Sequence, residues 1–315
     1  VPPLRRTALP ALLAALAAAP ALAAGQAAPA PTAAQLAGQM VVQAFPGQAP
    51  PAWLVRRIRR GETGAVLLFA GNGTTAATVR RLTARLQAIP RPRGLDAPLL
   101  VMTDQEGGQV ARLQGPPDLS AAQLAGRPPS VALAQGAMAG VLLCRAGVNV
   151  DLAPVLDLAR PGSVIASQDR SLGRGAAGVA RRGLAFSSGL AQTGTIAVPK
   201  HFPGLGAATR TTDEAPVVIG TSRAVLRAQD MRPYAPLIRR GVPMVMVGTA
   251  VYRAFGGLPA ALNPAIVRGE LRGRMGFGGV TVSDALDTPA LAAWGATVPV
   301  AVAAARAGID LQLYS

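Results

Sequence analysis

The sequence predicts an α/β fold, a (β/α)8 TIM-type barrel built as a single domain. Three observations lead there. The chain has 315 residues, 50% of them hydrophobic, which is too apolar for a disordered polymer. Eight short β-branched or apolar runs are bounded by Gly and Pro, and segments of helical period rich in Ala, Leu and Arg separate them. Repeated βα units of this spacing suit one barrel over residues 33–315 better than two smaller domains. An open doubly wound sheet is the runner-up.

The elements follow in order. Residues 1–24 have a basic start at Arg5 and Arg6, an apolar run over 8–23 interrupted by Pro10 and Pro20, and small residues at Ala21 and Ala23 suited to cleavage. This reads as a secretory signal peptide rather than a membrane helix; Arg5 and Arg6 match a twin-arginine signal only weakly. The Ala/Pro-rich residues 25–32 read as a flexible spacer. A secreted or extracytoplasmic product with no stable membrane insertion is therefore expected. Strands are predicted over 40–45 (MVVQAF), 64–69 (GAVLLF), 98–104 (PLLVMTD) and 147–154 (GVNVDLAP). Four more are predicted over 195–201 (TIAVPKH), 242–248 (VPMVMVG), 279–284 (GVTVSD) and 309–314 (IDLQLY). Helices are predicted over 51–60, 75–88, 130–146, 174–192, 223–240, 263–275 and 298–307. The chain ends at Ser315, directly after the eighth strand, so the barrel is expected to lack its final helix or the sequence to be truncated.

Composition excludes several chemistries. The single cysteine, Cys144, excludes a disulfide framework, and the single histidine excludes zincin-type sites. The formal charge of +16 raises nucleic acid as a partner. The arginines are spread through amphipathic segments, however, and aromatic residues are too few for base stacking, so no nucleic-acid partner is expected. All but one of the 31 basic residues are arginine; the exception is Lys200, and its neighbour His201 is the only histidine. Arg does not replace Lys where a compact ammonium must fit a crowded polar site, so this pair points to chemistry or ligand contact.

In a (β/α)8 barrel the functional residues sit at the carboxyl ends of strands. Asp104, Asp157, Lys200, His201 and Asp284 all fall at or just beyond predicted strand ends. Polar groups are costly to bury there unless they are paired or functional.

Six motifs then carry a resemblance: Gly64 to Phe69 with Gly71 and Asn72, Thr103-Asp104-Gln105-Glu106-Gly107-Gly108 with Arg112, and Ala153-Pro154-Val155-Leu156-Asp157. The others are Asp169-Arg170-Ser171-Leu172-Gly173, Lys200-His201-Phe202-Pro203-Gly204 and Val282-Ser283-Asp284-Ala285-Leu286. In this order, from Ala33 onward, the chain resembles glycoside hydrolase family 3, in its single-domain β-N-acetylhexosaminidase branch. The resemblance implies that Asp284 is the nucleophile of a retaining glycosidase. It implies that Asp104, Arg112, Arg170, Lys200 and His201 bind the non-reducing sugar. Arg112 and Arg170 equally suit salt bridges that orient Asp104 or Asp284. Asp157 and Glu106 read as structural, and Gly107-Gly108 as a tight turn beside the site.

One departure from the family concerns the general acid. The branch carries Asp-Ser-His on the loop after the Lys-His-Phe-Pro-Gly strand, whereas this chain reads Gly204-Leu205-Gly206-Ala207-Ala208-Thr209-Arg210-Thr211-Thr212-Asp213-Glu214-Ala215-Pro216. Either Asp213 or Glu214 serves as acid/base, or the enzyme is limited to good leaving groups, or the protein is a non-catalytic glycan-binding module. The expected substrate is a terminal β-linked sugar, N-acetylglucosamine from cell-wall or chitin-type oligosaccharides, with a β-glucosidase-like activity as the alternative. No metal, nucleotide or redox cofactor is implied.

Overall fold

The computed structural model describes residues 29–315. The expected signal peptide over 1–24, and the spacer residues 25–28, lie outside the described residues. Each predicted strand has a counterpart: β1 (Val41–Ala44), β2 (Ala65–Leu67), β3 (Leu100–Thr103), β4 (Val150–Asp151), β5 (Ile196–Ala197), β6 (Met244–Val247), β7 (Val280–Ser283) and β8 (Gln312–Tyr314). The main helices are α1 (Ala33–Gln39), α2 (Ala52–Arg59), α3 (Ala76–Gln87), α4 (Pro129–Ala146), α5 (Ala176–Ala191), α6 (Tyr234–Arg239) and α7 (Thr297–Ala307).

Local chemistry sets their ends. Thr32 accepts from the Gln35 amide and the Gln35 side chain accepts from the Thr32 amide, a capping box that starts α1 where the sequence pattern shows no helix. Thr75 caps α3, whose Val79, Leu82 and Leu86 form the buried stripe of an amphipathic helix. Pro129 opens α4 within its first turn, and Gly147, at φ 73°, closes it in the left-handed region that favours glycine.

All strand pairs in the main sheet are parallel, in the order β8-β1-β2-β3-β4-β5, while β6 and β7 form a separate parallel pair. Single parallel bridges join the two units, Phe202 to Val247 at one seam and Val282 to Leu311 at the other. The result is an α/β TIM-barrel-like fold in which strand number and direction match the expectation and the continuous ladder does not close. Proline is one cause at the first seam: Pro199 and Pro203 flank Lys200, His201 and Phe202 and have no N–H to give.

Strand alternation divides the core in two. Val42, Leu67, Met102, Val150, Val198, Met246, Val282 and Leu313 point into an inner cluster fed by all eight strands. Val66, Val101, Val245 and Val247 point outward into the cluster shared with the helices. Among those helices, α4 is long and apolar enough for a membrane span, yet in this fold it packs along α5. The contact is close because it is made by glycines: a methyl at Gly136 would collide with the Phe186 carbonyl, and one at Gly189 with the Leu133 carbonyl.

Two helical predictions are corrected. The helix predicted over 223–240 breaks into Arg223–Val225, a π-wound turn Leu226–Asp230, and α6. Pro233 cannot donate within such a helix, and the Met231 amide instead bonds five residues back to Leu226. The segment Ala265–Arg274 is also π-wound rather than α-helical, with Gly269 and Gly273 inside it.

Candidate active site

The carboxyl ends of the strands surround a cavity of about 500 Å³. Asp104, Arg112, Arg170, Lys200, His201, Asp213 and Asp284 all line it, so these seven predicted residues are brought to one place. Glu214 is exposed and does not line the cavity, which separates it from Asp213.

Asp104 follows β3 directly, and the chain then folds into a hairpin, Gln105–Gly107 against Val110–Ala111. Gly107 and Gly108, at φ 94° and 63°, make the reversal, and a methyl at Gly107 would meet the Leu119 carbonyl. The hairpin buries Glu106 beneath the cavity floor. There Arg170 makes a two-pronged contact with it, Nε to Oε2 at 2.9 Å and Nη2 to Oε1 at 2.8 Å. Lys200 Nζ reaches Glu106 Oε1 at 2.8 Å and Asp104 Oδ1 at 2.6 Å. Arg112 sits 3.8 Å from Asp104 and stacks over the Phe69 ring at 5.5 Å. The salt-bridge reading of Arg112 thus finds its partner in Asp104, while the partner of Arg170 is Glu106 and neither Asp104 nor Asp284.

These contacts fix charge states. Burial pushes the Glu106 carboxyl up, but Lys200 and Arg170 overcome it and hold the group at about 2. For Lys200, burial disfavours the ammonium, and Asp104 and Glu106 outweigh that effect and raise its pKa. Asp151, at the end of β4, is fully buried, and burial drives its carboxyl well above the ordinary range. Its Oδ1 accepts from the Gln105 amide at 2.9 Å, while Oδ2 has no partner among the described residues.

A second buried carboxylate, Asp157, serves the loop after β5. It accepts from His201 Nδ1 at 2.7 Å, from the His201 amide at 3.3 Å and from the Leu205 amide at 2.6 Å. A carboxylate only accepts, so Nδ1 carries a proton toward Asp157, and Nε2 is the ring nitrogen left for the cavity that His201 lines. Asp284 follows β7, its amide tied to Val247 at 2.8 Å. Its Oδ1 accepts from the Ala285 amide at 2.8 Å, and no other protein bond holds its carboxylate among the described residues. Burial raises the Asp284 pKa; His201 and Lys200 pull it down, and the charge of Asp213 adds to the rise. Asp213 itself stands on an exposed turn, with Thr211 Oγ1 donating to its Oδ2 at 2.9 Å.

Chemically the cavity offers two carboxylates that sense each other, a cationic corner at Lys200 and Arg170, and an acceptor at Asp104. That set suits a hydroxylated ligand attacked by a carboxylate. The family model of the glycosyl hydrolase family 3 N terminal domain matches residues 35–315. The chain belongs to glycosyl hydrolase family 3. Among its relatives is an uncharacterized secreted glycosyl hydrolase of Arthroderma benhamiae, 36% identical over 287 residues, covering 89% of this chain and 81% of that one. A beta-hexosaminidase of Nitrosomonas eutropha is 32% identical, covering 79% and 73%. Of the solved structures, a family 3 beta-N-acetylglucosaminidase from a Paenibacillus species superposes with a TM-score of 0.84 at 34% identity. It covers 91% of this chain, which spans only 55% of that enzyme. The beta-N-acetylhexosaminidase of Beutenbergia cavernae gives 0.80 at 33% identity, covering 90% and 86%. These relatives make the family 3 chain a glycoside hydrolase.

Several cavity residues escape the sequence reading. Gln168 accepts from Arg170 Nη1 at 3.1 Å, and Asp287 reaches the rim and accepts from the Ser315 amide at 3.1 Å. Each lies two or three residues from a predicted site residue, Arg170 or Asp284, and proximity in sequence is the signal that marks them.

Proposed function

We propose that this chain removes a terminal β-linked N-acetylglucosamine residue from cell-wall or chitin-type oligosaccharides with retention of configuration. The observation that carries the reading is the placement of Asp284 and Asp213 in one cavity, with the carboxylate of Asp284 facing it almost unencumbered. The names of the hexosaminidase and acetylglucosaminidase relatives support the choice of sugar. The secreted relative supports action outside the cytoplasm. The inner cluster common to all eight strands supports a barrel that works as one rigid frame.

In the first step Asp284 attacks the anomeric carbon as the glycosidic C–O bond breaks, and Asp213 delivers a proton to the leaving oxygen. In the second, water attacks the same carbon, Asp213 takes its proton, and the bond to Asp284 breaks. Asp104 accepts from sugar hydroxyls, Lys200, Arg170 and Arg112 donate to them, and His201 orients the ring through Nε2.

The test is hydrolysis of aryl β-N-acetylglucosaminide, aryl β-glucoside and chitobiose by the parent, Asp284→Asn and Asp213→Ala. The parent is expected to prefer the acetylated sugar, and Asp284→Asn to be inactive while folded. Asp213→Ala is expected to lose roughly 10²–10⁴-fold on chitobiose and far less on the aryl substrate. Preference for the glucoside would indicate the β-glucosidase-like alternative. Binding without turnover would make the protein a glycan-binding module, and an active Asp284→Asn would remove the mechanism.

A further inference from the structure

The cationic corner of the cavity is built on a group that no ligand reaches. Glu106 is 5% exposed, does not line the cavity, accepts two charge-assisted hydrogen bonds from Arg170 and pairs with Lys200 at 2.8 Å, the two cations that do line it. We propose that Glu106 is a positioning residue that holds Lys200 charged and fixes Lys200 and Arg170 in the orientation that receives the sugar.

The donor count supports this. An ammonium has three N–H bonds; on Lys200 one goes to Asp104 and one to Glu106, leaving one for a ligand. Asp104 lines the cavity and is itself an acceptor for sugar hydroxyls, so its hold on Lys200 is shared once a ligand arrives. Glu106 is shielded from that competition. Arg170 likewise spends Nε and one Nη2 proton on Glu106 and one Nη1 proton on Gln168. This fixes the guanidinium plane and leaves its remaining protons to the cavity. A fully buried ammonium with too few counter-charges would lose its proton. The other charged groups acting on Lys200 are Asp104 and Arg170, with Asp151 and Asp284 also in electrostatic reach. Of these acids, only Glu106 is both held ionised at about 2 and inaccessible to substrate.

The composition supplies a direct probe, because Lys200 is the only lysine. In protein carrying isotope-labelled lysine its side chain gives a single resonance whose pH titration is read without any substrate. Glu106→Gln keeps the shape and removes the charge. The expected result is a Lys200 titration moved to lower pH. The alkaline limb of kcat/KM should move with it, and KM for aryl β-N-acetylglucosaminide should rise roughly 10–100-fold with kcat little changed. An unmoved Lys200 titration with unchanged KM overturns the proposal. A loss confined to kcat also overturns it, since positioning of the sugar is then not what Glu106 supplies.

If Glu106→Gln does not fold, the Lys200 titration of Asp104→Asn decides: a value still above that of ordinary lysine leaves Glu106 as the group that holds the charge and supports the proposal, and a value at or below it overturns the proposal. The proposal rests on the glycosidase reading for its kinetic arm only. A parent inactive on every aryl glycoside sinks that reading, while the lysine resonance still decides the role of Glu106.

Discussion

Asp157→Asn is the perturbation that most directly tests how the histidine is presented. The parent carboxylate accepts three bonds, two from backbone amides and one from His201 Nδ1. An asparagine keeps one oxygen for the amides and turns an NH2 donor toward Nδ1. Retaining Nδ1–H would set donor against donor, so the ring is expected to switch tautomer and carry its proton on Nε2. The lost charge-assisted bond is worth about 1.5–3 kcal/mol, part of which the new Asn-to-Nδ1 bond restores. A net loss of about 1–2 kcal/mol lowers Tm by roughly 2–8 °C for a chain of this size. At the cavity the change is harsher: with the ring neutral, a ligand hydroxyl that donates to Nε2 in the parent meets an N–H in the variant. A drop of roughly 10–100-fold in kcat/KM is expected for that mismatch. Nitrogen-15 NMR reads the tautomer without ambiguity, since the chain has one histidine. Retention of the Nδ1–H tautomer in the variant, or a fall in kcat/KM of less than about threefold, would refute the reasoning.

Other outcomes are expected. The Glu106 carboxyl is held at about 2, below its usual 4.5, so the fold stabilises its ionised form. That stability is fully present above pH 4.5 and is lost as pH falls toward 2; it is on the order of 3 kcal/mol, and Glu106→Gln should flatten this acid limb in a denaturant series run against pH. Burial raises the Asp284 pKa, and the proposed nucleophile must be ionised, so the acid limb of kcat/KM is expected above the ordinary aspartate value of 3.8. A limb at or below that value would mean the charged neighbours prevail over burial. Gly136→Ala should push α4 off α5 and cost about 1–3 kcal/mol, seen as a lower denaturation midpoint with unchanged KM.

The strands were legible because alternation and bounding glycines are local signals, and all eight fall where the sequence puts them. The seams were not, because a proline such as Pro199 breaks a ladder only in relation to a partner strand that the pattern does not name. Helix α1 was hidden by its composition: Ala33–Gln39 continues an Ala-rich stretch, and only the Thr32 and Gln35 side chains mark its start. At the site, Lys200 and His201 stood out by rarity, by their place at a strand end and by the motif that holds them. Glu106 did not, since its meaning depends on Arg170, which is 64 residues away in the chain and reaches it only through the fold.

The two carboxylates differ in how they are mounted. Asp284 is carried by a strand end whose amide is locked to Val247, in the least replaceable part of the frame. Asp213 hangs on an exposed turn secured by Thr211 alone among the described residues. Substitution at the exposed positions 213 and 214 can therefore exchange one side chain for another without disturbing the frame. On the proposed reading, sugar recognition and bond-forming chemistry rest on the rigid part of the molecule, and leaving-group scope on the exposed turn. A lineage on this scaffold can drift between donors of different strength, and so between natural and activated substrates, while it goes on grasping the same sugar.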